Sequence, residues 1–525
     1  MKTLRKFIEE AELPAEATSV ATAEPVHKSE GPLKPLLRRS VSLPRALLPA
    51  LIVIFLSACT VGPDYVRAPS IVGGSYVHAE QLQEHNQTRE PAPLDTWWKG
   101  FDDPVLEQIV ERAVAQNLDV AAAMARIEQA RAAARGANAA RLPQGEFNAQ
   151  VAREYQSLNS ALGEVGSTLP GYKRTQTQQD IGAGASWELD LAGGLKRDAQ
   201  AAQAEYQAAE ASGAAVRISV AAEAADAYFK VRGAQERIAL AEQQVQTEQN
   251  LLELVRVRLA GGVGTDREVA QAEAILQQAR ASLPPLRAER DRQLNRLDVL
   301  MGAQPGSGAK QLLDRPASYA IPAIAAESDP AALLRRRPDV IAAERRVAAS
   351  NERIGSALSE YYPKLSLGAL LGFETLRGGT LFDSGSFQPA GVVGLRWRLF
   401  DFGRVDAEVG RSRGAEAEAL ANYRQSMLRA TEDVENAIVT LSELENEQAI
   451  LSREVSAHQR ARSSAEDAYK GGAVSLLEVL DEDRQLLASR DRLAQTRADD
   501  ARAAVAAFRA LGGGWAGAAD KLAER

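Results

Sequence analysis

The chain uses one structural programme twice, and any fold must accommodate both copies. Asn117-Leu118-Asp119-Val120 is answered by Arg337-Pro338-Asp339-Val340, and Pro143 by Pro363, at an offset of 220 residues. Trp187 and Trp397, Gly193 and Gly403, Gly262 and Gly472, and Gly302 and Gly512 correspond at 210. The offset shrinks by ten between the two halves of each copy, so the first copy carries the longer internal loop. Self-similarity over such a span means one supersecondary unit laid down twice.

Hydrophobic spacing says what the unit is. A helical pattern runs from about Pro104, suited to a first turn, to Arg141, and Pro143 ends it. Two stretches then alternate with period two, which means strands with one apolar and one polar face. In the first, Phe147, Ala149, Val151 and Tyr155 oppose Asn148, Gln150 and Glu154, with Arg153 breaking the apolar side. In the second, Ile181, Ala183, Ala185, Trp187 and Leu189 oppose Gly182, Gly184, Ser186, Glu188 and Asp190. From Leu195 the helical pattern continues without proline to Ala260, with Val231, Ile238, Val245, Leu252 and Leu259 recurring every seventh residue as in a coiled-coil seam. At ~1.5 Å per residue such a helix approaches 100 Å. Gly261, Gly262 and Gly264 break it, and Thr265 is placed to cap a return helix ending near Met301-Gly302. Pro284-Pro285 is expected to kink or interrupt that helix. The second copy repeats the order. Its strands are expected at Leu365–Phe373 and Val393–Leu399, its long helix from Arg404, its turn at Gly471-Gly472 and its return helix to Leu511. The expected organisation is a leader and signal over 1–58, a tether over 59–103, repeats over 104–330 and 331–515, and a tail over 516–525.

Composition narrows the class. Among 525 residues, aromatics are 5% and net charge is −8, which disfavours nucleic acid as a partner because phosphate binding needs clustered cations. Four His and one Cys exclude a multi-cysteine zinc site, an iron–sulfur cluster and an intrachain disulfide. No nucleophile–base set, phosphate-binding glycine loop or metal spacing is present, so neither catalysis nor a cofactor or metal is expected. Four strands with one apolar face match a membrane barrel, yet an open four-stranded sheet cannot sit in lipid with unpaired edges. If the strands span a membrane, several chains must close one barrel, and three would give twelve strands, with Arg396 and Arg398 lining the lumen. A soluble antiparallel sheet packed on helices alternates in the same way.

The N-terminal segment favours the barrel. Ala46–Leu56 is an apolar run too short for a transmembrane helix and follows Lys34, Arg38, Arg39 and Arg45, the order of a secretory signal. Residues 1–33 ahead of it read as an overextended start or a disordered leader. The run ends in Leu56-Ser57-Ala58-Cys59, which resembles the lipobox of bacterial lipoproteins, where the cysteine becomes the acylated N-terminus. Thr60 follows instead of the aspartate that retains such lipoproteins in the inner membrane, which favours the outer membrane.

The CTVGPDY start, Trp97-Trp98 with Phe101-Asp102-Asp103-Pro104, the paired hairpins, Arg337–Arg345, Leu399-Phe400-Asp401-Phe402-Gly403-Arg404 and Ala510–Trp515 together resemble the TolC-like outer-membrane efflux factors. They are most similar to the NodT-type lipoproteins of resistance–nodulation–division pumps. The resemblance covers about residues 59–515. It implies a mixed α and β fold, a homotrimeric channel-tunnel with a twelve-stranded membrane β-barrel and a long periplasmic α-helical coiled-coil barrel. It also implies a periplasmic adaptor and an inner-membrane pump as partners, with passive conduction of small molecules to the exterior. A conduit for type I protein secretion shares the fold, and a structural periplasm-spanning lipoprotein would share the helices without a barrel.

The functional residues are expected at the helix tips. Glu478 and Asp481 lie three apart on one helix face, and Arg484 is three further on. In a trimer Asp481 would form a carboxylate ring that attracts cations, with Arg484 placed to offset the repulsion. The resemblance places gate acids at Glu478 and Asp481. Acids at a helix N-terminus also serve simply as caps. The turns Gly261, Gly262, Gly264, Thr265 and Gly471, Gly472, Ser475 are the expected adaptor contacts. The first tip has Gln271 where the second has Asp481, so the gate is expected on the second alone.

Overall fold

The computed structural model describes residues 60–515 except 88, 314–318, 325–329 and 377. The expectations for the leader, the signal, Cys59 and the tail lie outside these residues.

Local chemistry sets each boundary. The segment expected as an extended tether also contains a helix, α1 (Ala79–Asn86), and a 3₁₀ segment, Leu94–Phe101. The helix is held by polar contacts to a distant element: Val77 N–H donates to Glu435 at 2.7 Å and His85 Nδ1 meets Glu445 at 2.8 Å. Trp97 and Trp98 are buried, Trp97 stacking on Phe508 at 5.4 Å, so they fasten the segment to the body.

The helix expected over 104–141 is two, α2 (Pro104–Gln116) and α3 (Leu118–Ala139). Asn117 breaks it by adopting an extended conformation and accepting hydrogen bonds from Asp119 N and Val120 N. Strand β1 (Gln144–Tyr155) follows, then a loop carrying α4 (Ala161–Ser167), then β2 (Thr175–Leu189). The 67-residue α5 (Gly194–Ala260) is ~100 Å long, and the return helix is α6 (Asp266–Leu300). Pro284 and Pro285 do not interrupt α6. They and the residues Arg280 and Ala281, whose carbonyls lose an N–H partner, are exposed, so water can satisfy what the prolines remove.

After α7 (Ala309–Leu313) the second copy begins with α8 (Pro330–Arg336) and α9 (Pro338–Ser359). It continues through β3 (Lys364–Thr375), β4 (Phe387–Arg396), the 67-residue α10 (Arg404–Lys470) and α11 (Leu476–Ala510). The two copies share details as well as order. Trp187 Nε1 donates to Arg141 O at 2.9 Å, and Trp397 Nε1 to Tyr361 O at 3.0 Å, each clamping a strand end to the preceding helix. Asn117 Nδ2 reaches Leu300 O at 3.1 Å, and Arg337 Nη1 reaches Ala510 O at 3.3 Å, so both helix breaks tie down the end of a return helix.

The strands form one antiparallel sheet in the order β1-β2-β3-β4. Its register puts Phe147, Ala183, Leu371 and Pro389 in one row and Ala149, Ile181, Phe373 and Phe387 in the next, all on one face. The other face carries Asn148, Gly182, Gly372 and Gln388, then Gln150, Asp180 and Glu374. One slip of register would mix the two sets, so the alternation fixes the pairing. Strands β1 and β4 each have one unpaired edge within the chain.

The main core lies where α2, α5, α6, α10 and α11 meet around Phe101, Tyr228, Phe229, Leu297 and Phe508. Alanines on the long helices allow close approach; at Gly233 an added Cβ would come within 2.6 Å of Ala498 Cβ. No helix among the described residues is long and apolar enough to cross a membrane.

Candidate gate at the helix tips

Both long helices end in the same turn. Gly261 and Gly471 close the helices with φ of −77° and −76°. Gly262 and Gly472 then take φ of +74° and +75°, where a side chain would be strained. Val263 N–H returns to Arg258 O at 3.0 Å and Gly262 N–H to Leu259 O at 2.9 Å. The second turn repeats this with Ala473 to Ala468 at 2.8 Å and Gly472 to Tyr469 at 3.0 Å. This paired closure satisfies the last helical carbonyls. A Cβ on Gly264 would sit 2.9 Å from Leu259 N, so that glycine is required by close backbone approach.

Thr265 and Ser475 each open a return helix with a capping box. Glu268 accepts from Thr265 N–H at 2.7 Å, and Glu478 from Ser475 N–H at 3.4 Å. The carboxylate of Glu478 is therefore turned back onto the cap. Asp481 is exposed one turn later and accepts from Arg484 Nη2 and Gln485 Nε2, both at 2.8 Å. The Asp481/Arg484 pair predicted from spacing is thus formed on the solvent side of α11.

The opposite side of α11 holds residues that spacing alone did not assign. Leu476, Val479 and Leu480 pack with Tyr469 and with Leu252, Val255, Ala272 and Leu276 of the first hairpin, in one cluster joining both tips. The Arg258 guanidinium lies 4.7 Å from the centroid of the Tyr469 ring, a cation–π contact between the two turns. Further along α11, Asp483 is 5% exposed and accepts from Arg462 Nε at 2.9 Å. Arg462 also pairs with Glu466 at 2.7 Å, and His458 Nδ1 stands 3.3 Å from Glu482. Glu248 of α5 is 1% exposed, and its Oε2 has no hydrogen-bond partner among the described residues. Burial, and secondarily the charge of Asp483, pushes the Glu248 carboxyl up to about 7, while burial raises Asp483 against the pull of Arg462. A sequence signal existed: Glu248 stands between Val245 and Leu252 at seam spacing, where an apolar residue belongs.

The remaining predicted residues lie elsewhere. Arg396 ends β4 opposite Lys364 on the polar face. Arg398 falls beyond the strand, contrary to the expected register, and pairs with Glu360 at 2.8 Å. β3 begins at Lys364, opposite Arg396, so no residue of that strand stands opposite Arg398. Beside Cys59, Val61 N–H donates to Ala192 O at 3.0 Å, and a Cβ on Gly193 would come within 2.5 Å of Thr60 Cγ2, so the chain after the cysteine is fastened at the junction of β2 and α5. Among the described residues no group of three or more His, Cys, Asp or Glu is arranged to hold a metal.

A sheet with one oily face joined to ~100 Å helices is what a membrane channel with a long helical extension requires of each chain. The sequence profile described as outer membrane efflux protein matches residues 109–303 and 330–513, one match in each copy, and the chain belongs to that family. It is 32% identical to the pyoverdine export outer membrane protein OpmQ of Pseudomonas putida, over 81% of this chain and 89% of that protein. It is 27% identical to nodulation protein T of Rhizobium leguminosarum bv. trifolii, over 88% and 96%. The solved outer-membrane channel OprN superposes with a TM-score of 0.77 at 32% identity, covering 87% of this chain and all of that one. The open-state MtrE channel of Neisseria gonorrhoeae gives 0.75 at 25%, covering 87% and 99%. The resemblance drawn from the sequence motifs is borne out: this is the outer-membrane channel of a tripartite efflux system.

Proposed function

We propose that three copies close one twelve-stranded barrel, β4 of each pairing with β1 of the next, and that the long helices continue it as a periplasmic tunnel. The observation that carries this is the sheet itself: two free edges, one apolar face and one polar face. In lipid those edges must be paired, and only closure pairs them all. The dimensions agree. Ten-residue β4 rises roughly 33 Å, or about 25 Å when tilted by ~40°, the height of an outer-membrane apolar band. Exposed aromatics mark both ends of the sheet, with Tyr155, Phe382 and Phe387 at one and Trp187 and Trp397 at the other. Attachment of Val61 beside the second set would bring an acylated Cys59 to the membrane surface.

The channel conducts passively, driven by an inner-membrane pump of the resistance–nodulation–division class. A periplasmic adaptor engages the turns at Gly261–Thr265 and Gly471–Ser475. In the closed state α11 lies inward and Asp481 recurs around the axis, with Arg484 moderating the repulsion. Adaptor binding that favours the splayed helices shifts the population to the open state. The capping geometry of Glu478 makes it a helix-start residue in this scheme and leaves the selectivity to Asp481. Single-channel recording in planar bilayers tests this: Asp481→Ala should weaken cation selectivity and Arg484→Ala should raise closed-state conductance. Unchanged values in both variants refute the gate, and a purified species that stays monomeric in detergent and lipid refutes the barrel.

A further inference from the structure

We propose that Glu248 and Asp483 form a proton-dependent latch between α5 and α11, so that these two carboxylates position the gate helix rather than line the pore. The inference rests on the reading of α11 as the moving helix. Asp481 and Asp483 lie two positions apart, which turns them to opposite sides of α11: one is exposed, the other 5% exposed against α5 and α10. The charged groups on each packed element are few. From α10 come Arg462, which bonds Asp483, Glu466, which shares that arginine, and His458, which faces Glu482. From α11 come Asp483, Glu482 and, at longer range, Arg490. From α5 comes Glu248, whose one hydrogen-bonding neighbour among the described residues is Gln244 of its own helix.

One arginine, Arg462, therefore bonds two acids and reaches Glu248 only through space, so among the described residues Glu248 is buried with no cation hydrogen-bonded to it. An ionised carboxylate in that place is strongly disfavoured, and one bound proton removes the cost. With the proton bound, α11 seats against α5. Without it, Glu248 and Asp483 repel, and separating the helices hydrates both. The closed state thus holds more protons than the open one between the ordinary carboxylate range and about 7, where burial places Glu248. Closure is favoured at low pH and lost as pH rises through that window, by up to tenfold per pH unit for each latch.

Open probability of the full-length channel in planar bilayers, recorded across pH, tests the proposal. The wild type should open as pH rises toward 7. Glu248→Gln should remain closed and show a flat profile, and Glu248→Asp should restore a pH-dependent profile. The protonated carboxyl should also appear, between the ordinary carboxylate range and about 7, as an infrared carbonyl band that Glu248→Gln deletes, a readout that does not depend on conductance. A Glu248→Gln channel that keeps the wild-type profile, or a band that survives the substitution, overturns the latch. A profile abolished by Asp481→Asn but not by Glu248→Gln assigns the titration to the pore ring and also overturns it. Loss of pH response in Glu248→Gln with unchanged conductance in Asp481→Ala and Arg484→Ala upholds the latch while refuting the gate.

Discussion

Replacing Arg197 with alanine should release the N-terminal segment from the body. The guanidinium is 3% exposed and holds four partners. It donates to Glu352 at 2.7 Å and Asp64 at 2.8 Å, and to the carbonyls of Val61 at 3.2 Å and Gly62 at 3.3 Å. These contributions are unequal. The Asp64 side chain is 90% exposed, so its pair contributes about 0–1 kcal/mol. Glu352 is 8% exposed, and removing its cation leaves a buried carboxylate uncompensated, a loss of about 3–5 kcal/mol. At about 1.4 kcal/mol per decade, even the lower figure raises the open population of the segment about a hundredfold. Amide hydrogen exchange of Val61, whose N–H is bonded to Ala192 O, reads this directly, since that amide exchanges through local opening. The double variant Arg197→Ala/Glu352→Ala should recover most of the loss, because the stranded charge is gone. If the single variant leaves exchange unchanged, or the double variant is as labile as the sum of the two singles, the stranded carboxylate is not the cause.

Three further perturbations separate other parts of the structure. Asp298 accepts from the backbone N–H groups of Gly306 and Ser307 with one oxygen and of Gly308 and Ala309 with the other, so Asp298→Asn should strand donors and lose about 1–3 kcal/mol, seen as faster exchange over 306–309. Leu480→Ala in the cluster joining the two tips should remove about 2–5 kcal/mol from the closed arrangement and raise conductance without adaptor. Asp500 is buried, and burial reinforced by Glu445 pushes it up to about 7 against Arg89. A raised acid means the folded state binds the extra proton, so its contribution is present at low pH and lost as pH rises to about 7; Asp500→Asn should therefore melt higher than the wild type at pH 8 and alike at pH 4.

Much of this molecule is written in local pattern. The glycines at 193, 262, 302 and their partners at 403, 472 and 512 all take positive φ, and each marks a helix end. The alternation that predicted strands also fixed the register, because a single slip would exchange oily and polar faces. Arg398 was read into the strand because alternation continues past its end, whereas β3 begins only at Lys364, opposite Arg396. The break at Asn117 was missed because Leu118–Ala139 continues the helical composition; its cap onto Asp119 and Val120 is local, and only its Nδ2 bond to Leu300 O needs the fold.

The sequence by itself determined the repeated unit, the lengths of the helices, their turns and the pairing of Asp481 with Arg484, because each depends on residues within a few positions of one another. Only the tertiary structure decided that the two tips share one apolar cluster, and that Glu248 is buried near Asp483, which holds Arg462. The apolar cluster and the approach of Glu248 to Asp483 join α5 to α10 and α11 across more than two hundred residues of chain. Which acid is solvated and which is stranded depends on how the helices are rotated against one another, and no local spacing records that rotation.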